Sequence, residues 1–164
     1  MAKADLLVFE RIVRSANLYT EENISLDSTS HPFEIRNIHE SLPIQVKKLF
    51  DDTHYSQATF EAFKFIDKTV AKISKTDESG VRLMMNAFNE NSPKIKLTEC
   101  LSDSGRDEQM GYKFIFSGAI SAIRNPRGHE YSIIESEDEC LDHLALASHL
   151  LRRIEQAGLS ICQA

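Results

Sequence analysis

HYSQATFEAFKFIDKTVAKIS, residues 54–74, is the stretch on which the fold class turns. Ala58, Ala62, Phe65 with Ile66, Thr69 and Ile73 recur at spacings of three and four, and Phe63 and Val70 widen that stripe. Glu61, Lys64, Asp67 and Lys68 decorate the other side. A period near 3.6 with one apolar face is the mark of an amphipathic helix packed on a core. The spacing therefore predicts a long helix over 54–74.

Upstream, Asp51-Asp52-Thr53 breaks the pattern, and Ser41 with Pro43 reads as the start of a helix reaching about Phe50. Phe33 to His39 is a short segment of undecided type. Thr20 to Pro32 is polar and reads as a mobile loop. Leu6, Phe9, Val13 and Ala16 share one face of an expected helix over Lys3 to Asn17. Downstream, a turn at Thr76–Gly80 precedes a helix over Val81 to Asn89. Lys94-Ile-Lys-Leu97 alternates, so the loop at 90–105 holds either a small hairpin or an irregular structured segment. A helix from about Asp107 to Arg124 is apolar or small all round from Phe114 to Ile123, which predicts burial on several faces. Asn125 precedes a proline, a position that disfavours the α conformation, so Asn125-Pro-Arg-Gly128 is expected to end that helix. A last helix over Asp138 to Gln156 carries Leu141, Leu144, Ala145, Ser148, Leu151 and Ile154, with Gly158 just beyond it. The sum is an all-α, up-and-down bundle of about five helices. It reads as one domain overall, with residues 1–30 an N-terminal helix plus mobile loop and residues 31–164 the helical domain.

The 164 residues are 41% hydrophobic and 27% charged, which is globular and not disordered. The net charge of −6 excludes a general basic nucleic-acid binder, so any RNA contact must be local. Cys100, Cys140 and Cys162 are odd in number and far apart, with no CxxC spacing, and read as free thiols. The N-terminus, charged throughout, does not resemble a signal peptide, and no run reaches the ~18 apolar residues of a membrane span. A soluble, cytoplasmic protein without cofactor or metal is expected.

Chemistry concentrates in Ile123-Arg-Asn-Pro-Arg-Gly-His-Glu-Tyr131. Arg124 ends a helix, and the turn after it is expected to bring His129 back near it. Arg is permanently cationic and forks onto phosphate oxygens. It can stabilise charge growing on a phosphorus centre, while His moves protons near neutral pH. RNA carries its own nucleophile, the 2′-hydroxyl, so no metal is required. Spacing alone is weak, since Arg-x4-His pairs arise often by chance. The plain alternative is a helix-capping Arg124 and a surface His129.

The segment resembles the signature of the HEPN superfamily, Arg-x4–6-His between the last two core helices. His31-Pro-Phe, Leu49-Phe-Asp-Asp-Thr-His-Tyr-Ser-Gln-Ala58 with Glu61-Ala-Phe-Lys64, Gly111-Tyr, Phe116-Ser-Gly-Ala119 and Arg124-Asn-Pro-Arg-Gly-His-Glu130 are together similar to its Ymh-type, abortive-infection-like branch, over roughly residues 30 to 155. The resemblance implies a helical bundle that pairs so that two motifs face one cleft. It also implies metal-independent RNA cleavage leaving a 2′,3′-cyclic phosphate, and a role as a toxin or antiphage defence effector with a possible antitoxin or defence-system partner. Arg124 would then hold the scissile phosphate and His129 act as general acid or base. Asn125 would orient the phosphate or His129, Arg127 would add phosphate affinity, and Glu130 would orient His129. The plainer readings of those three are a turn residue, a solvated charge and an exposed carboxylate. Tyr131 completes Arg-x4-His-x-Tyr, and in one toxin branch of the superfamily a partner nucleotidyltransferase modifies such a tyrosine. Packing is its plainer role.

Two copies of Arg124 and Arg127 would concentrate cationic charge in one cleft, and the Asp107–Arg124 helix would supply an apolar two-fold interface. A catalytically inactive module binding a nucleotide or a partner protein is the alternative, and the acidic charge suits it. A purely structural protein with an accidental motif is a third. His143 and His149 are not at metal-ligand spacing. Phe60, Phe63 and Phe65 could stack on bases, though core or dimer packing explains them more simply.

Overall fold

The computed structural model describes residues 30–99, 102–130 and 132–161. The chain divides into two compact units, Met1–His31 and Pro32–Ala164. The expected helix over Lys3 to Asn17, most of the polar loop after it, Tyr131, Cys100 and Cys162 lie outside the described residues.

The second unit is all-helical, with no strand among the described residues. Its elements are α1 (Pro32–Ile35), α2 (Ile44–Asp51), α3 (Tyr55–Ile73), α4 (Gly80–Ala87), α5 (Asp103–Ala119), a π-helical turn (Ile120–Arg124), α6 (Asn125–His129) and α7 (Glu137–Gln156). The hairpin considered for 90–105 is an irregular loop instead. The buried Gln109 side chain on α5 staples it, accepting from the Leu97 amide at 2.8 Å and donating to the carbonyls of Ile95 and Phe88 at 2.9 and 3.1 Å.

Helix α3 is the hub and touches α2, α4, the π turn, α6 and α7. Ala58, Ala62, Phe63, Ile66 and Val70 are fully buried along it, as its stripe predicts. Asp67 departs from the expectation of an exposed decoration. It is buried and accepts the Gly80 amide at 2.7 Å, so a carboxylate of α3 satisfies an otherwise unpaired donor at the start of α4. Helix α7 packs Leu144, Ala147, Leu150, Leu151 and Ile154 against the core. Its first turn is fixed by a reciprocal pair, the Glu139 amide donating to Ser136 Oγ and the Ser136 amide to Glu139 Oε2. Phe88 and Phe116 stack at 4.2 Å between centroids where α4 meets α5.

Helix α5 is not buried all round. Phe114 and Ile115 are 55% and 43% exposed, and Gly118, Ser121 and Ala122 continue the same open face. The helix also does not stop at Arg124. Asn125 is helical at φ −64°, ψ −45°, and its amide donates to the Ile120 carbonyl five residues back. A proline ring in a regular α-helix would strike the carbonyl one turn before it. The widened i→i−5 turn opens that space, so the helical path continues to His129 and ends at Glu130.

Candidate functional site

The π turn and α6 carry Arg124, Asn125, Arg127 and His129 on one continuous helical path. In a straight α-helix, residues five apart stand about 140° apart around the axis. No hydrogen bond joins Arg124 to His129 within the chain, and the expected turn that folds His129 back onto Arg124 is absent.

Arg124 is half-buried. Its guanidinium carbon stands 5.6 Å from the Phe60 ring centroid, and Nη1 donates to Asn125 Oδ1 at 3.1 Å. Its Nε is buried with no partner. An unsatisfied buried donor costs roughly 1–3 kcal/mol, so this cation is held by an aromatic face and an amide with hydrogen-bonding capacity to spare. No carboxylate pairs with it among the described residues. Asn125 thus supports Arg124 and makes no hydrogen bond to His129. His129 is exposed at the last position of α6, without a hydrogen-bond partner among the described residues.

Arg127 is not a solvated charge or a free phosphate ligand. Its side chain is 10% exposed, Nε donates to Glu135 Oε2 at 2.7 Å, and Nη1 donates to the Ile123 carbonyl at 3.0 Å. The concentration of charge expected from two copies of it is therefore neutralised within each chain. Glu130 is exposed and does not bond His129. Burial pushes the Glu135 carboxyl up, but hydrogen bonds from His143, Arg127 and Thr59 together with the Arg127 charge outweigh this and hold it below the ordinary carboxylate range.

Phe60, which the sequence offers to base stacking or to core or dimer packing, belongs to this site. Its ring has Arg124 on it, Lys64 Nζ at 5.7 Å from the centroid, and Gly128 packed against its edge. Glu135 and His143 have no motif to announce them, because Glu135 stands in the polar run before α7 and His143 invites only a metal reading. An open cleft of 720 Å³ runs beside α6, and its lining includes Gln45, His54, Gln57, Gly128, Glu130 and Ile134. Among the described residues, no group of three or more His, Cys, Asp or Glu converges as metal ligands do. None of the described helices is long and apolar enough to cross a membrane.

An aromatic-backed arginine, an exposed histidine on the same helical path and an open face of small and apolar residues leading to both can bind an anion and exchange protons with it. Comparison with curated proteins and with solved structures gives no match. Residues 36–154, which contain the whole site, match the family described as "Protein of unknown function (Hypoth_ymh)", and the chain belongs to that family.

Proposed function

We propose that the protein is a metal-independent endoribonuclease of the HEPN type, its site completed when two copies meet across the open face of α5 and α6. The observation that carries this reading is the state of Arg124 and His129. Among the described residues, Arg124 is clasped by Phe60 and Asn125, has an unpartnered Nε and no carboxylate, and His129 is exposed and has no hydrogen-bond partner. A structural arginine of this burial would normally be neutralised by an acid. The exposed Ile115, Gly118 and Ala122 run along the same helical path toward them.

In this reaction one histidine takes the proton of the ribose 2′-hydroxyl as its oxygen attacks phosphorus. The bond from phosphorus to the 5′-oxygen breaks, and that oxygen takes a proton from the partner's His129. The products are a 2′,3′-cyclic phosphate and a 5′-hydroxyl. Arg124 from each copy bears on the phosphate oxygens where negative charge accumulates. The resemblance to HEPN proteins supports a role for such an enzyme as a toxin or antiphage effector. The net charge of −6 favours the second reading, a non-catalytic module that uses the same residues to hold a nucleotide or a partner protein.

The test is RNA cleavage by purified protein in EDTA beside Arg124→Ala and His129→Ala, with end-group analysis. Cyclic-phosphate ends from the wild type and inert, folded dimeric variants support the nuclease. Wild-type dimers that cut nothing turn the assignment to the binding module, and variants that cut as well as wild type overturn the site.

A further inference from the structure

We propose that Glu135 is a positioning residue that locks the π turn and α6 through Arg127, and so sets where Arg124 and His129 point; its effect on catalysis rests on the nuclease reading above. Arg127 lies between the two motif residues in sequence, three after Arg124 and two before His129. Whatever immobilises it immobilises the backbone that carries both.

Two contacts hold it. Nη1 donates to the Ile123 carbonyl at 3.0 Å, tying the side chain back onto the π turn, and Nε donates to Glu135 Oε2 at 2.7 Å. The other carboxylate oxygen, Oε1, accepts from Thr59 Oγ1 of α3 at 2.7 Å and faces His143 Nδ1 of α7 at 2.7 Å. An ionised carboxylate only accepts, so Nδ1 carries its hydrogen toward Glu135. The 3.5 Å approach of Arg127 Nη2 to that same nitrogen is then a contact between donors and not a hydrogen bond. With its side chain 1% exposed, Glu135 is a buried anchor where α3, α6 and α7 meet. Thr59 and Phe60 are neighbours on α3. Thr59 reaches α6 through the carboxylate, while the Phe60 ring meets Gly128 and Arg124 directly.

A buried staple that served stability alone would lower global stability and leave the rate of the folded protein unchanged. A positioning role lowers that rate as well, because misplacing catalytic groups by about 1 Å costs rate while substrate binding survives. The experiment compares wild type, Glu135→Gln, Thr59→Val and the exchanged pair Arg127→Glu/Glu135→Arg by hydrogen exchange and by single-turnover cleavage. Glu135→Gln is expected to speed exchange of the 120–130 amides by roughly ten-fold or more, while the core amides of α3 and α7 lose only what the fall in global stability takes and stay the best protected. It is expected to slow cleavage by roughly ten-fold or more with KM within about two-fold, and the exchanged pair to recover part of both. A folded Glu135→Gln with wild-type exchange at 120–130 and wild-type rate overturns the proposal. If Glu135→Gln does not fold, Thr59→Val, which removes one of the carboxylate's three donors, decides the matter. A smaller change of the same kind supports the lock, and wild-type behaviour overturns it. A wild type that cuts no RNA refutes the nuclease reading instead, and the exchange data alone then judge the lock.

Discussion

Gly128 and Phe60 are in such close contact that a Cβ at position 128 would lie 3.0 Å from Cε2 of the ring, with nothing but side-chain atoms in the way. That ring is also the surface on which the Arg124 guanidinium rests. Alanine in a helix is favoured over glycine by roughly 0.5–1 kcal/mol, but over-packing costs roughly 1–3 kcal/mol. Gly128→Ala is therefore expected to destabilise the protein and displace Arg124. In a Phe60→Leu background, where the ring edge is gone, the same Gly128→Ala should become stabilising. A double-mutant cycle by urea denaturation measures this. Equal effects of Gly128→Ala in both backgrounds would mean that the contact constrains nothing.

Glu135 makes stability depend on pH in a defined sense. Its folded pKa lies below the unfolded one, because the hydrogen bonds from His143, Arg127 and Thr59 prevail over the burial that pushes it up. A depressed acid contributes stability that is present above the unfolded pKa, ordinarily about 4.3, and lost as pH falls through the folded value. Glu135→Gln should cost about 3 kcal/mol at pH 7, as removal of one member of a buried pair does. The gap between wild type and variant should narrow as the pH is lowered below about 4. Denaturant titrations of both proteins at neutral and acid pH check this; a gap of constant size would show that the carboxylate's charge contributes nothing.

Several helices in this bundle close in the same way, with a residue in the left-handed region after the last turn. Asn37, Thr53, Lys75 and Gly158 have φ of 49°, 62°, 51° and 77°. At Lys75 the amide bonds the Lys72 carbonyl at 3.2 Å, and the next amide, of Thr76, bonds that of Ala71 at 3.1 Å. Only glycine takes this conformation without strain. Lys75 is exposed, so Lys75→Gly should raise stability by roughly 0.5–1 kcal/mol. Thermal denaturation reads it, and a loss of stability would show that the lysine side chain has a role its exposure hides.

What could be read in advance follows from which physical signals are periodic. The stripes of α3 and α7 are long and regular, and their buried residues fall where the spacing puts them. The pre-proline penalty predicts a helix end at Asn125 that the structure does not show: Asn125 takes the α conformation all the same, and the π turn before it removes the separate clash of the proline ring with the carbonyl one turn back. Arg127 looked like a surface charge because its partner Glu135 sits eight residues on, beyond any helical spacing. The all-round apolar run at 114–123 predicted burial, yet one side of it is open. Hydrophobicity says that a face must be covered and leaves open by which chain.

That open face gives the last prediction. Ile115, 43% exposed, lies one turn before Gly118 and two before Ala122 on the way to Arg124; if two copies meet through this face as proposed, a carboxylate there would be trapped beside its own symmetry mate. Ile115→Glu is expected to shift the protein to monomer at micromolar concentration and to lower cleavage by roughly 10²-fold or more, because the opposing motif leaves with the partner. Ile44→Glu serves as the control, since Ile44 is 67% exposed on α2 and not on α5, and the proposed dimer should survive it. Sedimentation measured alongside cleavage separates the possibilities. If Ile115→Glu is a dimer that cuts normally, the copies meet through another surface. If it is a monomer that cuts normally, Arg124 and His129 of one chain suffice and the site is not shared.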